Sequence, residues 1–255
     1  MAIVAEGFPL TSAHVVDRCS GGVAIFADGA EAEFNVLGAD PLSDLAVIRT
    51  TAGAELTTAT LGDADRLRMG QVVVAIGNPL GFAGSVSAGV VSALGRSFAA
   101  VARGNSGGAL ANGADEVVGI NTAVVGPGVG QGLGLAVPVN ATTRGIVSAL
   151  MTEGRVRRAY LGIAGGSRPL PPKATAATGR ERGIEILTVV AGSPADRGGL
   201  RPEDLLLGVD GNGVTNVGDL QRLMTGDRIG RRVGVEVFRR GTVQSVFVVP
   251  TELPD

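Results

Sequence analysis

Short apolar runs, each closed by glycine, proline or aspartate, fill the first 150 residues. They read "GGVAIFADG", "AEFNVLGADP", "LAVIRT", "GQVVVAIGNP", "SVSAGVVSALG", "EVVGINTAVVG" and "GLGLAVPV". Val/Ile/Ala runs of four to eight residues bounded by turn residues predict consecutive antiparallel strands. A sandwich or barrel follows more naturally than alternating βαβ units. The pattern then changes period. "NATTRGIVSALMTEGR" carries Ile146, Val147, Ala149 and Leu150 at helical spacing behind Asn140, a capping residue. That helix and the arginine-rich "RVRRAY" predict a domain boundary, giving domains at residues 1–154 and 155–255.

The second domain opens with a Pro/Ala-rich stretch, "GSRPLPPKATAATG", which predicts a surface loop. The strand "GIEILTVV" follows, then the turn "AGSPAD" with a short helix ending near Leu200, then "EDLLLGVDG". A second helix around "NVGDLQRLMTG" precedes the closing strands "RVGVEVFRRG" and "TVQSVFVVP". The expected fold class is therefore mainly β. The glycine run 126–134 holds no G-x-G-x-x-G and lies between strands, so it predicts a loop and not a phosphate cradle.

Composition narrows the function classes. With 45% hydrophobic and 18% charged residues the chain can fill a core and is not a disordered polymer. The net charge is −2 and Lys173 is the only lysine, so no basic field invites nucleic acid. Arg155, Arg157 and Arg158 read as a solvated linker face. Cys19 is the sole cysteine, which excludes an internal disulfide and predicts a small buried hydrophobe. One histidine, one cysteine and no clustered carboxylates imply no metal-ligand set and no cofactor. No apolar run reaches the ~18 residues of a membrane helix. The start, "MAIVAEGF", shows no export signal or membrane anchor.

One stretch carries chemistry. "VARGNSGGAL" sets Ser106 among glycines in a G-x-S-x-G pattern, which fits two unrelated hydrolase families and many inert turns. A serine hydroxyl needs a positioned base to act as a nucleophile, usually histidine. His14 is the only histidine, so a Ser–His pair has one candidate base. It precedes Ser106, and the residues after the serine have strand character. Both facts oppose the α/β-hydrolase order and match the chymotrypsin order His…Asp…Ser. For the carboxylate, Asp17, Asp28, Asp40 and Asp44 are candidates. Asp44 leads because it directly precedes the buried-looking "LAVIR", whereas Asp40 reads as a turn residue. An oxyanion needs converging backbone N–H groups, which Gly104 and Ser106 would supply with Asn105 between them.

These residues also carry a resemblance. "LTSAHVV", "DPLSDLAVI" and "GNSGGAL", followed in order by the flanking strands and by "RRAYLGI" and "GIEILTVVAGSPADRGGLRPEDLL", resemble the HtrA/Deg serine proteases over nearly the whole chain. The resemblance implies a chymotrypsin-like double β-barrel followed by a PDZ domain. It implies His14 as general base, Asp44 as its orienter and Ser106 as nucleophile. It implies a specificity pocket at Ala100, Val101 and Asn121, small and apolar at its base and suited to Val or Ala. It also implies a PDZ carboxylate-binding loop at Tyr160, Leu161, Gly162 and Ile163.

The implied activity is ATP-independent cleavage of unfolded or C-terminally exposed polypeptides in a bacterial cell envelope. Members of the family commonly form trimers through the protease domain. The sequence departs from the family in two places: only 13 residues precede His14, and Phe98 runs directly into Ala99 where the family has further residues. A trimmed barrel weakens the trimer expectation. It also keeps open a second reading, a peptide-binding chaperone or scaffold with an impaired protease domain.

Overall fold

The computed structural model describes residues 2–4, 8–26, 29–50, 58–78, 84–94, 105–124 and 134–254. The chain forms two compact units, Met1–Val156 and Arg157–Asp255.

The first unit is mainly β. Strands β1 (Ala2–Val4), β2 (Phe8–Thr11), β3 (Gly21–Ile25), β4 (Glu31–Asp40) and β5 (Leu45–Thr50) form a sheet in the order β1-β2-β5-β4-β3. The second sheet comprises β6 (Thr60–Leu61), β7 (Val72–Gly77), β8 (Ser85–Val90), β9 (Ala109–Asn112), β10 (Glu116–Val124) and β11 (Gly134–Pro138). Its order is β11-β10-β9-β7-β8, with β6 pairing in parallel to β10. These sheets are the two halves of a chymotrypsin-like double barrel.

The run "LAVI" in β5 is apolar throughout because both of its faces are buried. Leu45 and Val47 join Leu10, Val117, Ile120 and Leu150, a core that unites the two sheets with α1 (Ala141–Glu153). Ala46 and Ile48 point the other way and pack on Val16. Helix α1 begins at a capping box, in which Asn140 Oδ1 accepts from Thr143 N at 3.2 Å and Thr143 Oγ1 accepts from Asn140 N at 2.9 Å. It ends at Gly154, whose φ of +71° suits a left-handed cap.

The second unit contains β12 (Ala159–Tyr160), β13 (Ile163–Pro169), α2 (Pro172–Thr178), β14 (Arg182–Val189), α3 (Pro194–Gly198) and β15 (Leu205–Val209). It continues with β16 (Asn212–Gly213), α4 (Val217–Leu223), β17 (Val233–Arg239), β18 (Thr242–Val248) and β19 (Thr251–Glu252). Its main sheet runs β13-β14-β15-β17-β18, with β16 on β15, and β12 pairs β19. Ile184, Ile186, Leu206, Val209, Val235 and Val237 fill its core.

Four expectations are corrected. The stretch 166–179 is not a loop: it completes β13 and forms α2, with Ala174 fully buried. Pro172 occupies the first turn, where a missing N–H is harmless, so proline starts this helix instead of breaking it. Cys19 is exposed, because it follows the turn after Val16 and faces away from the core. Asp40 is a buried strand end opposite Leu45, not a turn residue. In the basic cluster, Arg157 pairs with Glu252 at 3.0 Å, so it is not merely solvated.

Candidate active site

His14 and Asp44 emerge from the same end of one sheet. Strands β2 and β5 pair Leu10 with Val47 and Thr11 with Ala46, so residues after Thr11 and before Ala46 leave side by side. A 3-10 turn, Ala13–Val15, follows β2 and buries Ala13 while pushing His14 outward. Asp44 closes the β4–β5 connection with a φ of +53°, a left-handed conformation unusual for a residue with a Cβ.

The two side chains meet directly. His14 Nδ1 lies 2.9 Å from both carboxylate oxygens of Asp44, and the His14 main-chain N–H donates to Oδ1 at 3.0 Å. An ionised carboxylate only accepts, so Nδ1 carries a proton, and in the neutral ring that leaves the lone pair on Nε2. Burial disfavours the Asp44 charge, but the Thr122 hydroxyl, the His14 N–H and the His14 ring overcome it and hold the carboxyl below the usual aspartate range.

Ser106 sits on a tight turn that leads into β9. Gly108 N donates to Asn105 O at 2.9 Å, and Gly107 has a φ of +77°, the value a glycine supplies most easily at the third position of such a turn. Side chains are excluded there for a second reason. A Cβ on Gly107 would lie 2.2 Å from Thr11 Oγ1, and one on Gly108 would lie 2.0 Å from Ile76 O. The glycines are thus turn residues and close-packing residues at once.

Asn121 ties this turn to the rest of the unit. Its carbonyl accepts from Gly107 N at 2.7 Å and from Ser12 Oγ at 3.0 Å. Its amide side chain, buried, donates to Ala109 O at 3.0 Å and to Ile76 O at 3.4 Å. Asn105 is also buried, and among the described residues its Oδ1 has no hydrogen-bond partner. Gly104, Ala100 and Val101 lie outside the described residues, as do the Phe98–Ala99 junction and most of the glycine run 126–134.

One residue that sequence reasoning missed joins the site together. Thr122 Oγ1 donates to Asp44 Oδ2, and Thr122 O accepts from Ser106 Oγ at 2.9 Å. The sequence signal for it was a polar pair, Asn121–Thr122, in an otherwise apolar run. Among the described residues no hydrogen bond joins Ser106 to His14.

In the second unit, Tyr160 pairs with Thr251, Leu161 is buried, and Ile163 opens β13 opposite Val189. Gly162 has a φ of +83°, and its carbonyl accepts from Val190 N at 2.9 Å. Among the described residues no carbonyl takes the N–H of Leu161 or Gly162. Strand β13 is an edge strand with α4 beside it.

The chain matches the trypsin-like peptidase domain over residues 2–120 and the PDZ domain over residues 185–233. It is 36% identical to HhoB of Synechocystis sp. over 98% of its own length and 65% of that protein. It is 34% identical to the periplasmic serine endoprotease DegP of Salmonella typhimurium over 95% of its own length and 54% of that protein. It thus spans between about half and two thirds of the curated relatives it matches. The HtrA-type protease AlgW, solved with a decapeptide, superposes with a TM-score of 0.80 at 31% identity, covering all of this chain and 82% of that one. A serine endoprotease from Yersinia pestis gives 0.76 at 29% identity, covering all of this chain and 88% of that one. A trypsin-like barrel with a His14–Asp44 pair and a PDZ unit define a class of serine protease architecture. Within that class, the chain belongs to the HtrA/Deg family.

Proposed function

We propose that the chain is an ATP-independent serine endopeptidase that cleaves unfolded polypeptides after small apolar residues. Residues 1–154 act as the protease and residues 155–255 as a PDZ domain that recognises C-terminal peptides. The observation that carries this reading is the 2.9 Å contact of His14 Nδ1 with Asp44, on a carboxylate that Thr122 links to the Ser106 turn.

In this mechanism Asp44 fixes the ring so that Nε2 is the basic nitrogen. Nε2 takes the Ser106 proton as Oγ attacks the scissile carbonyl, and returns it to the leaving amine. The N–H groups of Gly104 and Ser106, flanking Asn105, stabilise the tetrahedral oxyanion. The pocket formed by Ala100, Val101 and Asn121 admits Val or Ala. In the PDZ domain the N–H groups from Leu161 to Ile163, entered through Tyr160, capture a terminal carboxylate while the peptide adds to the edge of β13. The periplasmic names of relatives support a location in the bacterial cell envelope.

Hydrolysis of unfolded casein by the wild-type chain and by Ser106→Ala tests this function. Loss of cleavage in the variant is expected. Equal residual activity in both would overturn it and favour a peptide-holding scaffold.

A further inference from the structure

Ser12 is placed to cap a helical turn and does not cap it. It is the N-cap of the 3-10 turn Ala13–Val15, with an extended backbone, where a serine oxygen ordinarily accepts from the first N–H groups of the turn. Its side chain makes no such bond. The hydroxyl instead leaves the turn and donates to Asn121 O at 3.0 Å, from the end of β2 in the first sheet to β10 in the second. Ser12 is fully buried, so this hydroxyl depends on a protein partner.

Asn121 O is a shared acceptor. Gly107 N, in the turn that carries Ser106, donates to it at 2.7 Å, and Asn121 N donates back to Gly108 O at 2.9 Å. On the other side, Ser12 O accepts from Val15 N at 3.1 Å and so closes the turn that carries His14. One carbonyl of β10 thus receives the residue after the nucleophile and the residue two before the base. A second bond, from the Thr122 hydroxyl to Asp44, also links β10 to the first sheet. The two differ in what they hold. The Thr122 bond holds a side chain, whereas the Ser12 bond joins the main chain under the base to the main chain under the nucleophile.

Building on the endopeptidase reading, we propose that Ser12 is a positioning residue whose hydroxyl sets the separation of the His14 ring from the Ser106 hydroxyl. It touches neither the substrate nor the reacting atoms. Proton transfer needs the base within hydrogen-bond reach of the nucleophile, and a misplacement of about 1 Å can cost roughly 100-fold in rate. Without the hydroxyl, Asn121 O keeps its bond to Gly107, so the nucleophile turn stays anchored while the base's turn loses its tie. The loss therefore falls on the help that His14 gives to Ser106.

The test is a double-mutant cycle on hydrolysis of a peptidyl-valine p-nitrophenyl ester, whose good leaving group keeps turnover without the base measurable. Wild type, Ser12→Ala, His14→Ala and the double variant are compared, with Ser106→Ala as the blank. Ser12→Ala is expected to lower kcat about tenfold with KM unchanged, the worth of roughly one hydrogen bond. Once His14 is gone, it should lower kcat no further. A hydroxyl that supports only the fold or the nucleophile turn would cost the same factor in both backgrounds. That result would overturn the proposal and leave the endopeptidase reading intact, as would an unchanged kcat in Ser12→Ala. If Ser12→Ala does not fold, Ser12→Cys, of similar size with a weaker donor, runs the same cycle with a smaller loss and the same cancellation. Wild type no faster than Ser106→Ala would overturn the endopeptidase reading and the proposal with it.

Discussion

Thr122 donates its hydroxyl to Asp44 across the space between two sheets, from a bulge in β10 to the start of β5. Asp44 also accepts from the His14 ring and main-chain N–H, so its two oxygens are held from three directions. The Asp44 carboxylate is therefore fixed by both halves of the barrel. Thr122→Val keeps the shape and the main chain but removes this donor. A hydrogen bond to a charged group contributes about 1.5–3 kcal/mol, so kcat should fall roughly 10- to 100-fold. KM should change little and Thr122→Ser should restore most of the rate. Steady-state kinetics of the three proteins check this, and an unchanged kcat in Thr122→Val would refute it.

The depressed titration of Asp44 makes a statement about stability. A carboxyl whose folded value lies below its unfolded value stabilises the fold above about pH 3.9, the ordinary aspartate value. That contribution fades as pH falls through the lower folded value. Denaturant unfolding of wild type and Asp44→Asn across pH 2–6, a window set by about two units either side of the ordinary value, should show the variant lacking part of the acid-side loss. Parallel curves would contradict the assignment. The same variant should lose on the order of 10⁴ in kcat, because the ring then favours the wrong tautomer.

The proposed carboxylate loop of the PDZ unit depends on Gly162. A Cβ there would lie 2.2 Å from Ser193 Cβ, and φ is +83°. Gly162→Ala should therefore weaken binding of a peptide ending in a free apolar residue. Calorimetry should show wild type discriminating sharply against the amidated peptide and the variant doing so weakly. Equal affinity of wild type for both peptides would remove carboxylate capture from the account.

Asp204 is almost fully buried, and Arg239 meets it with two bonds of 2.6 Å from Nε and Nη2. Gly199 O and Arg201 N complete the network. Removing one partner strands the other charge, so Arg239→Leu should destabilise the second unit by about 3–5 kcal/mol. Thermal unfolding checks this, and a shift within error would mean that the carboxyl finds water.

Sequence order and residue scarcity made much of this legible. A single histidine ahead of a glycine-flanked serine pointed to the constellation, and the fully apolar "LAVI" predicted β5 and the carboxylate at its start. Thr122 stayed hidden because a bulge is a property of strand pairing, and one strand's composition does not report it. Pro172 misled because proline marks both loops and helix starts, and only Gly179 as a left-handed cap separates the two. Cys19 was misread because its burial depends on which way a turn exits the core, and local hydrophobicity does not encode that.

The central claim is that Ser106 is a nucleophile activated by His14. Peptide mapping after reaction with an amide-containing valyl diphenyl phosphonate tests it most directly, comparing wild type with His14→Ala. The account predicts one adduct, on Ser106, in wild type and its near-complete loss in the variant. An unmodified Ser106 in folded wild-type protein, or equal modification in both proteins, would contradict it.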